Sequence, residues 1–247
     1  CATQYRLEYI DRLGRIFHRP RAGFSFGTSL HRTLEVFHAA GGPAAVSPEE
    51  LAETLSRSWI REGYASAQDE QEHRTEALRI VDAWHAAAVE RAARTDLPPE
   101  PTLLYAEKTL RMPLFEGVDL SGRVDRVDEH HDGALEIVDY KSGRSEVSEE
   151  DVAGSRALGI YQLLLRNLHP DRRVYATLVA LRTGASASHE LGDDAAAELT
   201  EACADAGRTI LAKDWDSVQP EPCDHCPNCD YLPYCQRHWR ARGDAWD

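Results

Sequence analysis

The residues best suited to chemistry lie in one stretch, LSGRVDRVDEHHDGALEIVDYKSG, at positions 120–143. Two β-rich runs flank a polar interruption that ends in Asp132-Gly133, which is typical of a β-hairpin. A three-residue loop there would set Asp125 opposite Asp139, and other short loops would shift this pairing by about one residue. Side chains alternate along a strand, so Lys141 projects from the same face as Asp139. Opposed residues have Cβ atoms about 4.5–5.5 Å apart, so the two carboxylates would repel each other unless a divalent cation lay between them.

The alternative is a solvated hairpin whose acids face water beside arginines. Against it stands the combination of residues in the stretch: Gly122, Asp125, Arg126, Asp139, Lys141 and Gly143. The runs GRVDR and IVDYKSG resemble motifs of the PD-(D/E)XK nuclease superfamily, specifically its RecB-like branch. This resemblance spans Cys1 to Cys235, and the motifs occur in the family's order. It implies an α/β fold with a restriction-endonuclease-like core, in which helices flank a mixed central sheet.

The resemblance also implies a metal-dependent deoxyribonuclease, expected to act as an exonuclease in DNA processing, repair or recombination. Asp125 and Asp139 would be carboxylate ligands of Mg²⁺, with Mn²⁺ as a substitute. His31 would be a third ligand, because FGTSLHRTLE resembles the family's histidine motif. Without that likeness a lone histidine is more often structural, which is the expectation for His38. The backbone carbonyl of Tyr140 would be a fourth ligand.

Further roles follow from the same resemblance. Glu107, in AEKTL, would bind a second metal or orient a water, although by chemistry alone it is an ordinary strand glutamate. Lys141 would orient or deprotonate the attacking water and stabilise developing negative charge. Tyr161 matches the tyrosine of a Gln-x-x-x-Tyr motif that contacts DNA, but Ala157 occupies the glutamine position. Gln162 points roughly 100° away around the helix, so it cannot simply substitute.

The surrounding chain predicts the elements that must hold these residues. Helices are predicted at the N-terminus, through Leu30–Phe37, after a capping box at Ser47–Glu50, and at 69–94, 155–169 and 194–213. Strands are predicted near 102–114 and 172–182, and a polar loop at 143–154.

The composition indicates an acidic protein of 247 residues with a formal charge of −14, which argues mildly against a nucleic-acid partner. Local cations would have to provide the DNA track, and the candidates are Arg123, Arg126, Lys141, Arg144, Arg166, Arg172 and Arg173. We expect DNA that is single-stranded, or has single-stranded ends, as the partner, with a helicase on the same or another chain. No apolar run is long enough for a membrane span and no signal peptide is evident, so a cytoplasmic location is expected. The opening at Cys1 rather than methionine predicts a fragment of a longer chain.

Four of the six cysteines fall between positions 223 and 235, which suits a metal site better than a disulfide framework. Cys223, Cys226, Cys229 and Cys235 could hold zinc by themselves. The resemblance instead favours a four-iron four-sulfur (4Fe-4S) cluster, as in iron–sulfur nucleases of the RecB-like branch. Its ligands would be Cys1, Cys226, Cys229 and Cys235, and Cys223 would be spare. The cluster would join the two chain ends, giving a nuclease core at 1–222 and an iron–sulfur segment at 223–247, while Cys203 is expected to fill core space.

Two alternatives to an active nuclease come from other classes. One is a catalytically silent nuclease-fold module that binds DNA ends or docks a helicase, which the missing glutamine at position 157 favours. The other is a zinc-stabilised binding domain without nuclease activity.

Overall fold

A mixed five-stranded sheet lies at the centre of residues 21–207 in the computed structural model, which describes residues 1–143 and 145–242. The spatial order of the strands follows the chain: β1 (Thr102–Phe115), β2 (Val118–Glu129), β3 (Leu135–Lys141), β4 (Val174–Ala180) and β5 (Ser186–His189). β3 and β4 are parallel, and the other neighbouring pairs are antiparallel. The predicted mixed α/β architecture is therefore confirmed.

Helices cover both faces of this sheet. The α-helices among the described residues are α1 (Ala2–Tyr5), α2 (Gly14–Phe17), α3 (Ala22–Ala39), α4 (Pro48–Ser58), α5 (Ala67–Ala93), α6 (Glu149–Ala153), α7 (Arg156–Leu168), α8 (Asp193–Ala212) and α9 (Leu232–Arg242). The apolar side of α7 packs on one face, around Ile137 and Leu178. Helices α3, α4 and α5 pack on the other, around Val138 and Val179. The alternation of β3 thus separates two cores, since odd and even positions face different helices.

The β2–β3 hairpin has the register that sets its two aspartates opposite each other. The ladder runs from Glu129–Leu135 to Arg126–Val138, and continuing this register by one step sets the position of Asp125 opposite that of Asp139. Gly133 supplies the positive φ of 88° in the turn, and Asp132 Oδ1 accepts a hydrogen bond from the Ala134 amide at 3.0 Å.

The loop predicted at 143–154 was wrong in part, because it contains α6. Ser148 accepts a hydrogen bond from the Asp151 amide at 3.2 Å, and the Asp151 carboxylate accepts one from the Ser148 amide at 2.9 Å. This reciprocal capping stabilises a short helix that apolar periodicity does not reveal. β5, which has only four residues, and α9 were not predicted either.

Residues 1–20 and 208–247 form a second unit, called the terminal unit below. Within it, Tyr5 stacks on Trp215 with ring centroids 4.9 Å apart, and Thr3 Oγ1 donates to the Gln219 carbonyl at 3.1 Å. Trp239 is buried and donates to the Pro220 carbonyl at 2.8 Å. The predicted division at 222/223 differs from this one, which groups the N-terminal 20 residues with the C-terminal segment. None of the helices in the described ranges combines the length and apolar character that a bilayer span requires.

Candidate active site

Asp125 and Asp139 lie just beyond the last paired residues of the β2–β3 hairpin, close enough for their charges to interact. Asp125 Oδ2 accepts a hydrogen bond from the Tyr140 amide at 3.0 Å. The Asp139 side chain is 12% exposed, and its Oδ2 forms an ion pair with Lys141 Nζ. Apart from that ion pair, no described group donates a hydrogen bond to this buried oxygen. A buried carboxylate oxygen with a single cationic neighbour retains capacity for a further positive charge.

His31, on α3, brings a nitrogen to the same place. Its Nδ1 lies 3.4 Å from Asp125 Oδ2 and 4.0 Å from Glu107 Oε1. Its Nε2 lies 3.1 Å from the Tyr140 carbonyl oxygen. A carbonyl oxygen can only accept, so Nε2 must carry the hydrogen and Nδ1 is the atom available to a metal. Tyr140 therefore contacts His31 through the carbonyl that was predicted as a ligand.

The ligand atoms of His31, Glu107 and Asp125 all lie within 4.8 Å of one another, a spacing that suits a bound cation. Burial and the neighbouring Asp125 charge raise the pKa of both Glu107 and Asp139. Burial works to lower the pKa of His31, but the hydrogen bond and charge of Asp125 raise it overall. These pKa shifts reflect negatively charged groups that lie close together in a partly buried site. Carboxylate oxygens and an imidazole nitrogen are suitable ligands for a hard or borderline divalent ion.

Glu107 reaches this group from β1 with an unusual backbone. Its φ is +47°, one of only two positive values among non-glycine residues in the described part of the chain. It lies between the ladder pairs Ala106–Arg126 and Lys108–Val124, opposite the position of Asp125. Its Oε2 pairs with Arg123 Nε at 2.8 Å, and the Arg123 side chain is exposed. The predicted DNA-binding residue Arg123 is thus beside the acidic cluster.

Tyr161, on α7, approaches β2 because position 122 is glycine. A Cβ on Gly122 would lie 2.7 Å from Tyr161 Cε1, which is inside van der Waals contact. Burial, followed by the charges of Asp139, Asp125 and Glu107, raises the pKa of Tyr161. Its neighbour Gln162 is buried, and its Oε1 accepts from the Leu191 amide at 2.9 Å. Gln162 therefore acts in packing and leaves the missing glutamine unreplaced.

Arg126 lies on the opposite face of β2 from Asp125. Its side chain is 16% exposed and forms an ion pair with Asp128, and its Nη1 contacts His38. This placement differs from the DNA-contacting role expected of it. Arg166, Arg172 and Arg173 pair with acids, and Arg144 lies outside the described residues.

Five cysteines line one small cavity in the terminal unit: Cys1, Cys223, Cys226, Cys229 and Cys235. The Sγ atoms of Cys223 and Cys226 lie 3.7 Å apart. The burial of Cys226 and Cys235 raises the pKa of each thiol. Cys203 belongs to the other unit and does not line this cavity.

The sequence did not single out Asp128, and His38 was expected to be structural. The spacing of these residues along the chain could have indicated their positions. Asp128 follows Arg126 by two on one strand and so shares its face, while His38 lies two helical turns beyond His31.

A mixed sheet with clustered acids, a histidine and a lysine where two strands meet defines the class of α/β nuclease cores. A family model of the PD-(D/E)XK nuclease superfamily matches residues 1–236, so the chain belongs to that superfamily. Membership implies a nuclease, and nucleases of this superfamily use divalent metals. No curated protein matches the chain significantly. Among solved structures, it is similar to one titled "Crystal structure of SSO0001", with 15% identity, a TM-score of 0.35, and coverage of 69% of this chain and 80% of the other.

Proposed function

We propose that this protein is a Mg²⁺-dependent deoxyribonuclease of the RecB-like branch that hydrolyses phosphodiester bonds. The observation that carries the proposal is the convergence of His31, Glu107 and Asp125 within 4.8 Å. Asp139 is not one of these three, but it pairs with Lys141 and its charge interacts with those of Asp125 and His31. We further propose exonuclease action on single-stranded DNA or single-stranded ends, which a helicase on the same or another chain would supply.

His31 Nδ1 and the carboxylates of Asp125 and Asp139 would hold the ion, and Glu107 would bind a second ion or orient water. A bound divalent ion polarises the phosphate and lowers the pKa of water. The donor set fits this role, because burial and the charge of Asp125 raise the pKa of both Glu107 and Asp139, and a bound cation would offset this crowding of negative charge.

Lys141 is the residue we assign to the attacking water and to charge stabilisation. Its Nζ forms an ion pair with Asp139, and its side chain is 42% exposed, so a solvent-accessible phosphate can reach it. The ammonium group would donate to the oxygen on which negative charge develops. Tyr161 and Arg123 would position the DNA beside it.

The proposal is tested by cleavage of end-labelled single- and double-stranded DNA with and without Mg²⁺. Asp139→Asn and Lys141→Ala should each reduce cleavage at least ~100-fold while leaving the melting temperature near that of wild type. Asp119→Asn and Lys108→Ala make matched charge changes at exposed positions and should retain activity. Unchanged cleavage by either site variant would refute the assignment.

A catalytically silent DNA-end-binding module is the second candidate. It is favoured by Ala157 at the glutamine position and by the buried placement of Arg126. The same digest separates the two functions, because a silent module would bind labelled ends with Mg²⁺ present and leave them intact.

For the cysteines we propose a 4Fe-4S cluster on Cys1, Cys226, Cys229 and Cys235. Support comes from Cys1, which lines the same cavity as the C-terminal cysteines despite lying at the other end of the chain. Zinc on Cys223, Cys226, Cys229 and Cys235 is the alternative. A Zn–S bond of ≈ 2.3 Å in a tetrahedron gives sulfur separations of about 3.8 Å, and the 3.7 Å between Cys223 and Cys226 favours it.

Cys1→Ser and Cys223→Ser are matched variants that distinguish the two metal sites. Cys1 is a ligand only of the proposed 4Fe-4S cluster, and Cys223 is a ligand only of the alternative zinc site. With protein purified without oxygen, Cys1→Ser should lose iron, visible colour and thermal stability, whereas Cys223→Ser should keep all three. Zinc content that depends on Cys223 and not on Cys1 would overturn the iron–sulfur assignment.

A further inference from the structure

Tyr140 is bonded through its backbone to two of the residues assigned to the metal. Its amide donates to Asp125 Oδ2 at 3.0 Å, and its carbonyl accepts from His31 Nε2 at 3.1 Å. The first bond orients one carboxylate, and the second holds Nε2 of the imidazole so that Nδ1 faces Asp125 and the candidate metal site. The position of one peptide segment therefore sets the direction of two ligand atoms.

The Tyr140 side chain points to the opposite face of β3, where it is 4% exposed. There its hydroxyl accepts from Arg126 Nη1 at 3.3 Å, and its ring meets Trp84 edge-on at 5.5 Å between centroids. Because side chains alternate along β3 while amides and carbonyls lie near the sheet plane, Tyr140 connects the buried face with the acidic site.

Arg126 contacts three side chains on this face: Asp128 and Tyr140, which are buried, and His38, which is partly buried. Its Nε donates to Asp128 Oδ1 at 2.7 Å, and the pair is reinforced by a second contact to the other carboxylate oxygen. Nη1 also donates to His38 Nε2 at 2.9 Å. Burial and the Arg126 charge lower the pKa of His38 to about 3, so this imidazole is neutral and can accept.

We propose that Arg126, Asp128 and His38 form a positioning network for the metal site, acting through Tyr140. The inference rests on the proposed function for the identity of the ligands. The network holds the Tyr140 ring, the ring holds its peptide groups, and these orient Asp125 and His31. It also gives buried Arg126 a role, because a buried ion pair is weak evidence for stability, and apolar replacement is often neutral or stabilising.

Arg126→Met combined with Asp128→Leu removes both buried charges together, so neither is left unpaired, and the fold should persist. Tyr140→Phe is a milder second variant, which removes only the hydroxyl. Val81→Ala, in the core formed by α3 and α5 but outside the network, is the control for lost stability alone.

Two measurements distinguish positioning from simple stability. Nitrogen-15 NMR of metal-free protein reports the His31 tautomer, and calorimetric titration reports Mn²⁺ affinity. The double variant should lose the uniform Nε2–H tautomer and weaken Mn²⁺ binding about 10–100-fold. Tyr140→Phe should change the His31 tautomer population and the Mn²⁺ affinity in the same direction, but by less. Val81→Ala should change neither of these two quantities.

The proposal would be overturned if the double variant kept the His31 tautomer and the Mn²⁺ affinity of wild type. It would also be overturned if Val81→Ala lost the tautomer and the affinity to the same extent as the double variant. If the double variant does not fold, Tyr140→Phe decides, and unchanged values there count against the proposal. Wild-type protein that fails to bind Mn²⁺ would instead refute the metal assignment, while the tautomer measurement would still test the network.

Discussion

Glu107 combines a carboxylate at the candidate metal site with a backbone conformation that lowers stability. A glutamate at φ +47° costs of the order of 1–3 kcal/mol, because its Cβ crowds the backbone. The residue nevertheless aims its carboxylate at His31 and shares the site with Asp125. The β1–β2 ladder on either side holds it there.

Replacing Glu107 with glycine and with glutamine should separate these two effects. Both variants remove the charge and should weaken metal binding, but only glycine relieves the backbone. In chelator, we expect Glu107→Gly to be more stable to urea than Glu107→Gln by about 1 kcal/mol. Glycine in a strand is ordinarily destabilising, so Thr109→Gly on the same strand should lower stability. A Glu107→Gly protein less stable than Glu107→Gln would show that the backbone is not strained.

At the scale of elements, the site depends on how closely α7 approaches β2. A Cβ atom added to Gly122 would lie 2.7 Å from Cε1 and 2.8 Å from Cδ1 of the Tyr161 ring. It would also lie 3.2 Å from Cδ1 of Leu164. An aromatic ring held between a strand and its own helix cannot rotate aside as a flexible chain end could. Glycine is therefore required here by packing, since its φ is not positive.

Gly122→Ala should accordingly push α7 away from β2 and cost about 1–3 kcal/mol of unfolding free energy. The cost should fall in a Tyr161→Ala background, where the ring is absent, giving a coupling of roughly 0.5–3 kcal/mol in a double-mutant cycle. Gly23→Ala, at an exposed position of α3 where an added Cβ meets nothing within 4 Å, is the control and should not lower stability. Additive losses for Gly122 and Tyr161 would contradict the contact.

The hairpin and its register were predictable because alternation and a strong turn at Asp132-Gly133 leave little freedom. The mixed sheet was expected from the resemblance of the motifs to the nuclease superfamily, and not from alternation or turns. The surroundings of Arg126 and the helix α6 were not predictable in this way. Local sequence does not show what covers the far face of β2, so it could not reveal that His38 and Tyr140 enclose the guanidinium. The reciprocal cap at Ser148 lies in a polar segment where no apolar stripe marks a helix.

At the scale of the whole molecule, the formal charge is distributed unevenly between the two units. Residues 21–207 carry the entire formal charge of −14, because basic and acidic residues balance in the terminal unit. The unit with the candidate active site is thus the one that repels a phosphate backbone most strongly. This imbalance is the physical reason for expecting DNA binding there to depend on bound divalent ions.

The terminal unit should respond to acid through one carboxylate. Glu8 accepts from the Tyr231 hydroxyl and pairs with His18 Nε2 at 2.7 Å, linking the N-terminal segment to the C-terminal one. The Tyr231 hydrogen bond, aided by His18, lowers the pKa of Glu8 below its ordinary 4.5. A carboxyl with a lowered folded-state pKa stabilises the fold above the unfolded-state pKa, and this contribution disappears as the pH falls through the folded value.

Glu8→Gln should therefore melt below wild type at pH 7, and the difference should shrink as the pH falls below about 4.5. Comparing variants at each pH cancels the titration of groups that do not interact with Glu8. Asp216→Asn changes an exposed acid of the same unit and should give a small difference at all pH values. A gap between wild type and Glu8→Gln that stays constant down to pH values well below 4.5 would mean that the Glu8 charge does not hold the chain ends together.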